Sequence, residues 1–453
     1  MTTGATPEIQ NSVKGNKKVI NAWAMYDWAN SVYSLTITTA VFPIYFMEVT
    51  TRNGSDMVNF MGMNFKNSAL YTYCISFSFL FVALLSPLLS GIADATGTKK
   101  GFMKFFAWTG GFSCIGLYFF ESDTLWIGVM CFILASIGYA GSIVYYNSYL
   151  PEIAEPADQD RISAKGFALG YIGSSLLLIF NLVMIMKPDL FGIPEGTTLP
   201  ARISFLIVGA WWIGFSAYTF YYLPSNVYKV KREGHYLTKG YYELVKVWKE
   251  LNKLKYLTRF LLAFFFYNMG VQTVMYVASI FGDKEIKLET AELIITVLII
   301  QFVAIGGAFL FSYVSSKIGN LKTLTIAIFI WIGICISAYN LYDPNAFYVL
   351  AFVVGLVMGG IQALSRSTYS KMLPETQDHT SYFSFYDACE KIGLVVGTAS
   401  YGMIEELTGS MRNSILALIA FFLVGFTFLL RSMILKGKDE VQNVNLNIEN
   451  SEG

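Results

Sequence analysis

The chain has 453 residues, of which 55% are hydrophobic and only 14% charged, with a formal net charge of +1. A soluble domain carries roughly 25% charged residues, so a soluble fold is excluded and a polytopic membrane protein is indicated. No basic domain is left over to bind nucleic acid.

The first 22 residues are polar and lead into a long apolar span with no small-residue cleavage site, which is not the pattern of a cleaved signal peptide. A helix needs about 20 apolar residues to cross the hydrocarbon. Twelve such segments follow, near 23–48, 68–92, 102–120, 125–149, 163–186, 202–223, 258–281, 292–315, 321–341, 346–370, 381–404 and 413–433. The expected architecture is an all-α membrane protein of twelve transmembrane helices in two pseudo-symmetric six-helix bundles. Its parts are a tail over 1–22, a bundle over 23–224, a linker over 225–256, a second bundle over 257–433 and a tail over 434–453.

The duplication is written in the loops. Gly91-Ile-Ala-Asp94-Ala-Thr-Gly97-Thr-Lys99-Lys100, after the second span, has a degraded echo in Tyr313-Val-Ser-Ser316-Lys317-Ile-Gly319-Asn-Leu-Lys322. Leu150-Pro151-Glu152 recurs as Leu373-Pro374-Glu375 at nearly the same offset. A duplicated membrane unit marks a secondary transporter, whose substrate site lies near the bilayer midplane between the repeats.

Basic residues in short loops are retained in the cytoplasm. With twelve spans, 24 Lys and Arg fall on the side that holds both tails and 7 on the other, with Lys391 inside a span. Both termini are therefore expected in the cytoplasm and the chain in the cytoplasmic (inner) membrane. Within the linker, Leu244, Val247, Trp248, Leu251 and Leu254 recur at helical spacing among lysines, which predicts a basic amphipathic helix lying on the inner membrane surface.

The cysteines Cys74, Cys114, Cys131, Cys335 and Cys389 all fall within spans and form no Cys-x-x-Cys pair. His235 and His379 stand far apart without cysteine partners. No disulfide framework, metal or other cofactor is expected, and without a phosphate-binding glycine loop the chain carries no ATP-hydrolysing motor. It is not expected to be an enzyme.

Ionisable residues inside spans are functional candidates because a charge near the bilayer centre costs several kcal/mol. The eleventh span holds three: Asp387 lies ~9 Å and Glu390 and Lys391 ~15 Å from its start. Asp387 and Lys391 stand four apart with the acid first, the favourable order for a helical ion pair, so they either neutralise one another or serve transport. Glu390 has no such partner on its helix and is the sharper candidate for proton coupling. Asp27 lies about one turn into the first span, where Trp23 and Trp28 read as interfacial anchors, and Tyr26-Asp27 is matched by Tyr267-Asn268 in the second half.

The loop Gly91-x-x-Ala-Asp94-x-x-Gly97-x-Lys99-Lys100 resembles the signature loop of the major facilitator superfamily. That resemblance implies a gating role for Gly91, Asp94, Gly97 and Lys99, with the lysines in water. Four further stretches carry a narrower one: Tyr26-Asp27-Trp28-Ala29-Asn30-Ser31, Arg161-Ile-Ser-Ala-Lys165-Gly166-Phe-Ala-Leu-Gly170-Tyr171-Ile-Gly173, Tyr267-Asn268-Met269-Gly270-Val-Gln272-Thr273 and Gln362-Ala-Leu-Ser365-Arg366-Ser367. Together they are similar to the "unknown major facilitator" family, which includes the fungal vacuolar amino-acid effluxers linked to autophagy. Met269 departs from it, standing where many members have an acidic residue.

In the superfamily fold the first, fourth, seventh and tenth spans line the cavity. This implies that Tyr26, Asp27, Asn30, Tyr145, Asn147, Asn268, Gln272, Gln362 and Arg366 surround the substrate, although Tyr145 and Asn147 near a span end also read as interfacial residues. The expected function is secondary active transport by alternating access: export or exchange of an amino acid or similar small organic solute, coupled to protons, by a monomer. Uptake of a sugar or peptide-like solute is the alternative within transport, and a non-transporting receptor or scaffold the alternative outside it.

Overall fold

Long apolar runs that enter a bilayer must satisfy every backbone N–H and C=O internally, and helices do so. The structure, a computed structural model describing residues 13–51, 54–225 and 236–452, is accordingly almost all helix. Residues 226–235 of the linker, His235 among them, lie outside the described residues.

The first span is broken. Helix α1 (Lys17–Val32) continues as a wide π-helical stretch over Tyr33–Ala40 and turns by 41° into α2 (Phe42–Thr50). Pro43, in the first turn of α2, has no N–H to extend the preceding ladder. A hairpin not anticipated from the sequence follows, β1 (Met57–Phe60) against β2 (Met63–Lys66), closed by Met61 and Gly62 at φ 53° and 82°. Two consecutive positive φ angles suit the right-handed twist of a tight hairpin.

Spans two to six are α3 (Asn67–Thr96), α4 (Lys99–Gly116), α5 (Leu125–Asn147), α7 (Gln159–Met186) and α8 (Leu199–Tyr222), with the short α6 (Leu150–Ile153) in between. After the linker helix α9 (Tyr236–Lys253) come α10 (Lys255–Phe281), α11 (Thr290–Ile318), α12 (Asn320–Tyr339), α13 (Pro344–Met372), α14 (His379–Thr408) and α15 (Met411–Glu452). Nine of the described helices are long and apolar enough to cross a membrane, ten with the broken first span. The other two of the twelve are α4, with Lys99, Lys100 and Lys104 in its first turns, and α14, with Asp387, Glu390 and Lys391.

Each half packs on itself: α1 lies against α7 and α8, and α4 against α5 and α8, while α10 lies against α14 and α15, and α11 against α13. The halves meet along α3 on α14 and along α7 on α11 and α13.

The linker helix packs part of its apolar face on protein. Val247 and Leu251 join the core of the second half, while Trp248 packs its ring 5.6 Å from that of Phe385 and stays half exposed. Lys246 pairs with Asp378 at 2.5 Å, and Tyr382 donates to Glu250 at 2.8 Å. On the other flank Gly240 sits directly on Gly91 and Ile92 of α3, so close that a Cβ on Gly91 would collide with the Gly240 carbonyl. The helix thus straps α3 to α14 at the lysine-rich end. Gly91→Leu is expected to pry α9 away at a cost of about 1–3 kcal/mol, read as a lower Tm and faster tryptic cleavage at Lys246 and Lys249. Unchanged melting and cleavage would contradict this packing.

Candidate functional site

Three ties close the lysine-rich end between the halves. The first uses the loop after α3. Gly97 ends that helix in the left-handed conformation (φ 63°), and Asp94, one turn earlier, accepts from Thr380 N at 3.3 Å and from Ser381 N and Oγ at 2.7 Å each. Asp94 therefore caps the N-terminus of α14, where free N–H groups and the helix dipole favour an anion. Lys99 does not stay in water as expected. It is 8% exposed and pairs with Glu152 at 2.5 Å, and Glu152 also reaches His379 Nδ1 at 3.2 Å.

The second tie is the pseudo-symmetric partner of the first with its polarity reversed. The echo loop has no acid, and the acid is instead Asp160, in the first turn of α7. Asp160 accepts from Ser315 Oγ and Asn320 Nδ2, each at 2.7 Å, and pairs with Lys371 at 2.7 Å. Sequence reading missed Asp160 and Lys371; the lost acid in the echo was the available signal.

The third tie lies deeper. Arg366 of α13 is 3% exposed, and its hydrogen-bond and ion-pair partners among the described residues belong to the first half. Nε donates to Ser163 Oγ and Nη2 to the Ser163 carbonyl, both at 2.9 Å, and Nη1 reaches Asp27 Oδ2 and Asn147 Oδ1, both at 3.3 Å. Tyr146 donates to the same Asp27 oxygen at 2.7 Å. The guanidinium lies against Phe167 at 4.2 Å, Trp23 at 4.8 Å and Tyr146 at 5.4 Å from the ring centroids, a cation–π setting. The site has room because position 166 is glycine: a Cβ there would stand 2.5 Å from Asp27 Oδ2 and 3.0 Å from Arg366 Nη2.

Above this pair, a cavity of about 210 Å³ lies between the halves. Asp27, Asn147, Asn268, Gln272, Gln362 and Arg366 line it, as expected of cavity residues. Its walls extend to Thr39, Ser279 and Thr296, toward the opposite end of the spans. There α10 packs on α13, α14 and α15 of its own half, and not substantially on the first span.

Three expected cavity residues are placed elsewhere. Tyr26 is fully buried against Tyr146 and Phe220, and Tyr145 against Phe102 and Phe106, because their helix faces turn into the core of the first half. Asn30 is buried there too, with Ser31 as its side-chain neighbour. Trp23 is no interfacial anchor: it stacks 4.5 Å from Tyr146 and donates to the Tyr146 carbonyl at 2.9 Å. Trp28 stacks on Trp211 at 5.4 Å.

In α14, Lys391 stands 3.4 Å from Asp387 Oδ1 and 2.8 Å from Glu390 Oε1. Glu390 is thus not without a partner. Neighbours in sequence diverge around a helix, but the long lysine stem folds back to reach the adjacent carboxylate. Glu390 and Lys391 line the cavity; Asp387 lies behind them, fully buried. Tyr139 and Tyr276 complete this wall, and neither was singled out beforehand. Among the described residues, no cluster of His, Cys, Asp and Glu has the geometry of a metal site.

Removing the Asp27 charge leaves Arg366 buried and uncompensated, a loss of about 3–5 kcal/mol. Asp27→Ala should therefore lower Tm sharply, whereas the double variant Asp27→Leu/Arg366→Met should recover most of the lost stability. Equal melting of the single and double variants would show that the pair is not coupled. Asp94→Asn should weaken the α14 cap by about 1.5–3 kcal/mol and raise the reactivity of single cysteines placed at the lysine-rich end of the cavity. Unchanged labelling would remove Asp94 from gating.

The sequence model of the family described as "Vacuole effluxer Atg22 like" matches residues 15–442. An uncharacterized MFS-type transporter of Bacillus subtilis, YxiO, is 30% identical over 90% of this chain and 93% of its own. Autophagy-related protein 22 of Eremothecium gossypii is 22% identical over 95% and 94%. Among solved structures, the human organic anion transporter MFSD10 superposes at TM-score 0.69 with 11% identity, over 92% of this chain and all of that one. The fucose symporter FucP, a major facilitator superfamily transporter in the outward conformation, superposes at 0.67 with 14% identity, over 92% and 97%.

Proposed function

The chain belongs to the Atg22-like vacuole effluxer family, within the major facilitator fold, and is a multi-pass membrane transporter; from that premise we propose that it exports or exchanges a small amino-acid-like solute by proton-coupled alternating access. The observation that carries this reading is a cavity lined by both halves and sealed beneath by an ion pair joining them. All three ties sit at one end, while the first and seventh spans stay apart at the other. Such an arrangement corresponds to one terminal state of a rocking cycle.

With both termini in the cytoplasm, as the basic loops imply, the lysine-rich end is the inner gate and the cavity faces outward. The two six-helix bundles, 23–224 and 257–433, are the bodies that move, with α9 as a strap that must yield when the inner gate opens. At about 210 Å³ the cavity is below the roughly 300–1,000 Å³ of drug-sized ligand sites, which favours a small solute over a peptide. The amides of Asn147, Asn268, Gln272 and Gln362 favour the second reading, a sugar permease, since they match hydroxyl groups. The charges of Glu390 and Lys391 in the same wall favour a charged or zwitterionic solute, and we place that reading first.

Purified protein in liposomes, screened with amino acids, dipeptides and monosaccharides with and without an imposed pH gradient, tests the proposal. At least one amino acid should accumulate several-fold when the gradient is present, and Asp27→Asn should abolish the accumulation. Accumulation of sugars alone, or of nothing, would overturn it.

A further inference from the structure

Counted formally, with every carboxyl ionised, the charges around the cavity do not balance. Asp27 and Arg366 cancel at its inner end. In the wall formed by α14, one lysine serves two carboxylates: Lys391 lies 2.8 Å from Glu390 and 3.4 Å from Asp387. Asp387 is fully buried and neither of its oxygens accepts a hydrogen bond, so that ammonium is its only compensation among the described residues. Glu390 is the member that faces open space, with 23% of its side chain exposed. The facing groups are aromatic: Tyr139 from α5 and Tyr276 from α10 line the same cavity as Glu390 and Lys391, Phe79 of α3 lies 5.8 Å from the Lys391 ammonium, and Tyr386 stands one turn before Glu390 on its own helix. Aromatic faces attract cations.

We propose that Asp387, Lys391 and Glu390 form a cation site one positive charge short of balance, which takes an ammonium-bearing solute as a cation, or as a zwitterion together with one proton. The inference deepens the carrier reading above and rests on it. Closing the cavity around a net negative charge is costly in a low-dielectric interior. When the site closes, Lys391 stays with Asp387, because Asp387 has no other partner, and Glu390 is freed to accept the substrate ammonium. A cationic solute supplies the missing charge itself. A zwitterion brings an equal and opposite carboxylate, so one proton must travel with it; on Asp387 it replaces Lys391 as that group's compensation, and Lys391 takes the substrate carboxylate while Glu390 keeps the ammonium. The loaded carrier then crosses neutral and returns empty with its negative charge, moving one positive charge per zwitterion.

Proteoliposomes loaded with L-leucine and clamped with potassium and valinomycin read this number. At equal pH a tenfold leucine gradient should be balanced by about 59 mV, the value for one charge. In Glu390→Gln and in Asp387→Asn, each with one negative charge fewer, any remaining leucine flux should be insensitive to voltage. Voltage-insensitive flux in the wild type, or one charge per leucine retained in both variants, overturns the proposal and leaves the carrier reading standing. If no amino acid moves, the carrier reading fails, and thermal unfolding of the full chain in detergent decides the site: methylammonium chloride should raise the Tm of the wild type by several degrees and that of Glu390→Gln by none, while sodium acetate raises neither. Equal shifts in the two proteins overturn it.

Discussion

A guanidinium cannot be left bare inside a membrane protein, and that requirement organises this one. Arg366 belongs to the second half, yet Asp27, Asn147, Ser163 and an aromatic cage of the first half surround it. The contact is worth having only while the halves are closed over it. Breaking a buried pair by removing one partner costs several kcal/mol, so the halves part at this end only when something else takes over the charge of Asp27 or of Arg366. Glycine at 166 follows from the same constraint, since any side chain there would enter the pair.

Around this centre the ties at the lysine-rich end are graded by depth. The deepest is a buried ion pair, the next are carboxylates on helix N-termini and loop donors, and the outermost is the strap formed by α9. Asp94 on the start of α14 and Asp160 on the Ser315–Asn320 loop are the same device built twice with donor and acceptor exchanged. The exchange explains why the second copy of the loop looks degraded in the sequence. It did not lose a tie; its acid moved to the facing helix. A pair of such ties constrains both sides of the interface, so neither half can tilt away alone.

The α14 charges set a different problem. Arg366 and Asp27 neutralise one another across the interface and can lock it, whereas Asp387, Lys391 and Glu390 stand on one helix and lock nothing. Their excess negative charge is a cost that the apolar surroundings of Asp387 increase. Three unit charges cannot cancel, and a purely structural arrangement would pair the lysine with one carboxylate or add a second cation. Retaining the imbalance beside a cavity is understandable where a cation arrives and leaves in each cycle.

The sequence by itself determined the class, the number of spans and the duplication, because apolar runs of about 20 residues and repeated loop motifs are local properties. It also marked Asp27 and the α14 charges, since ionisable groups in apolar segments are conspicuous wherever they end up, and it marked Asp94 and Arg366 through the resemblance of their stretches to a family. What it left undecided was which groups meet. Tyr26, Asn30 and Tyr145 are polar residues on cavity-lining spans and still point into the first half's core, because facing depends on the rotation of each helix against its neighbours. The partner of Arg366 lies 339 positions away, beyond any pattern of spacing, and Glu390 found its partner in an adjacent residue through the reach of a flexible stem. The amphipathic linker had a face ready for lipid or protein alike. Only the tertiary packing, Gly240 on Gly91 and Val247 and Leu251 in the core, decided which part of that face protein takes and left Trp248 half exposed.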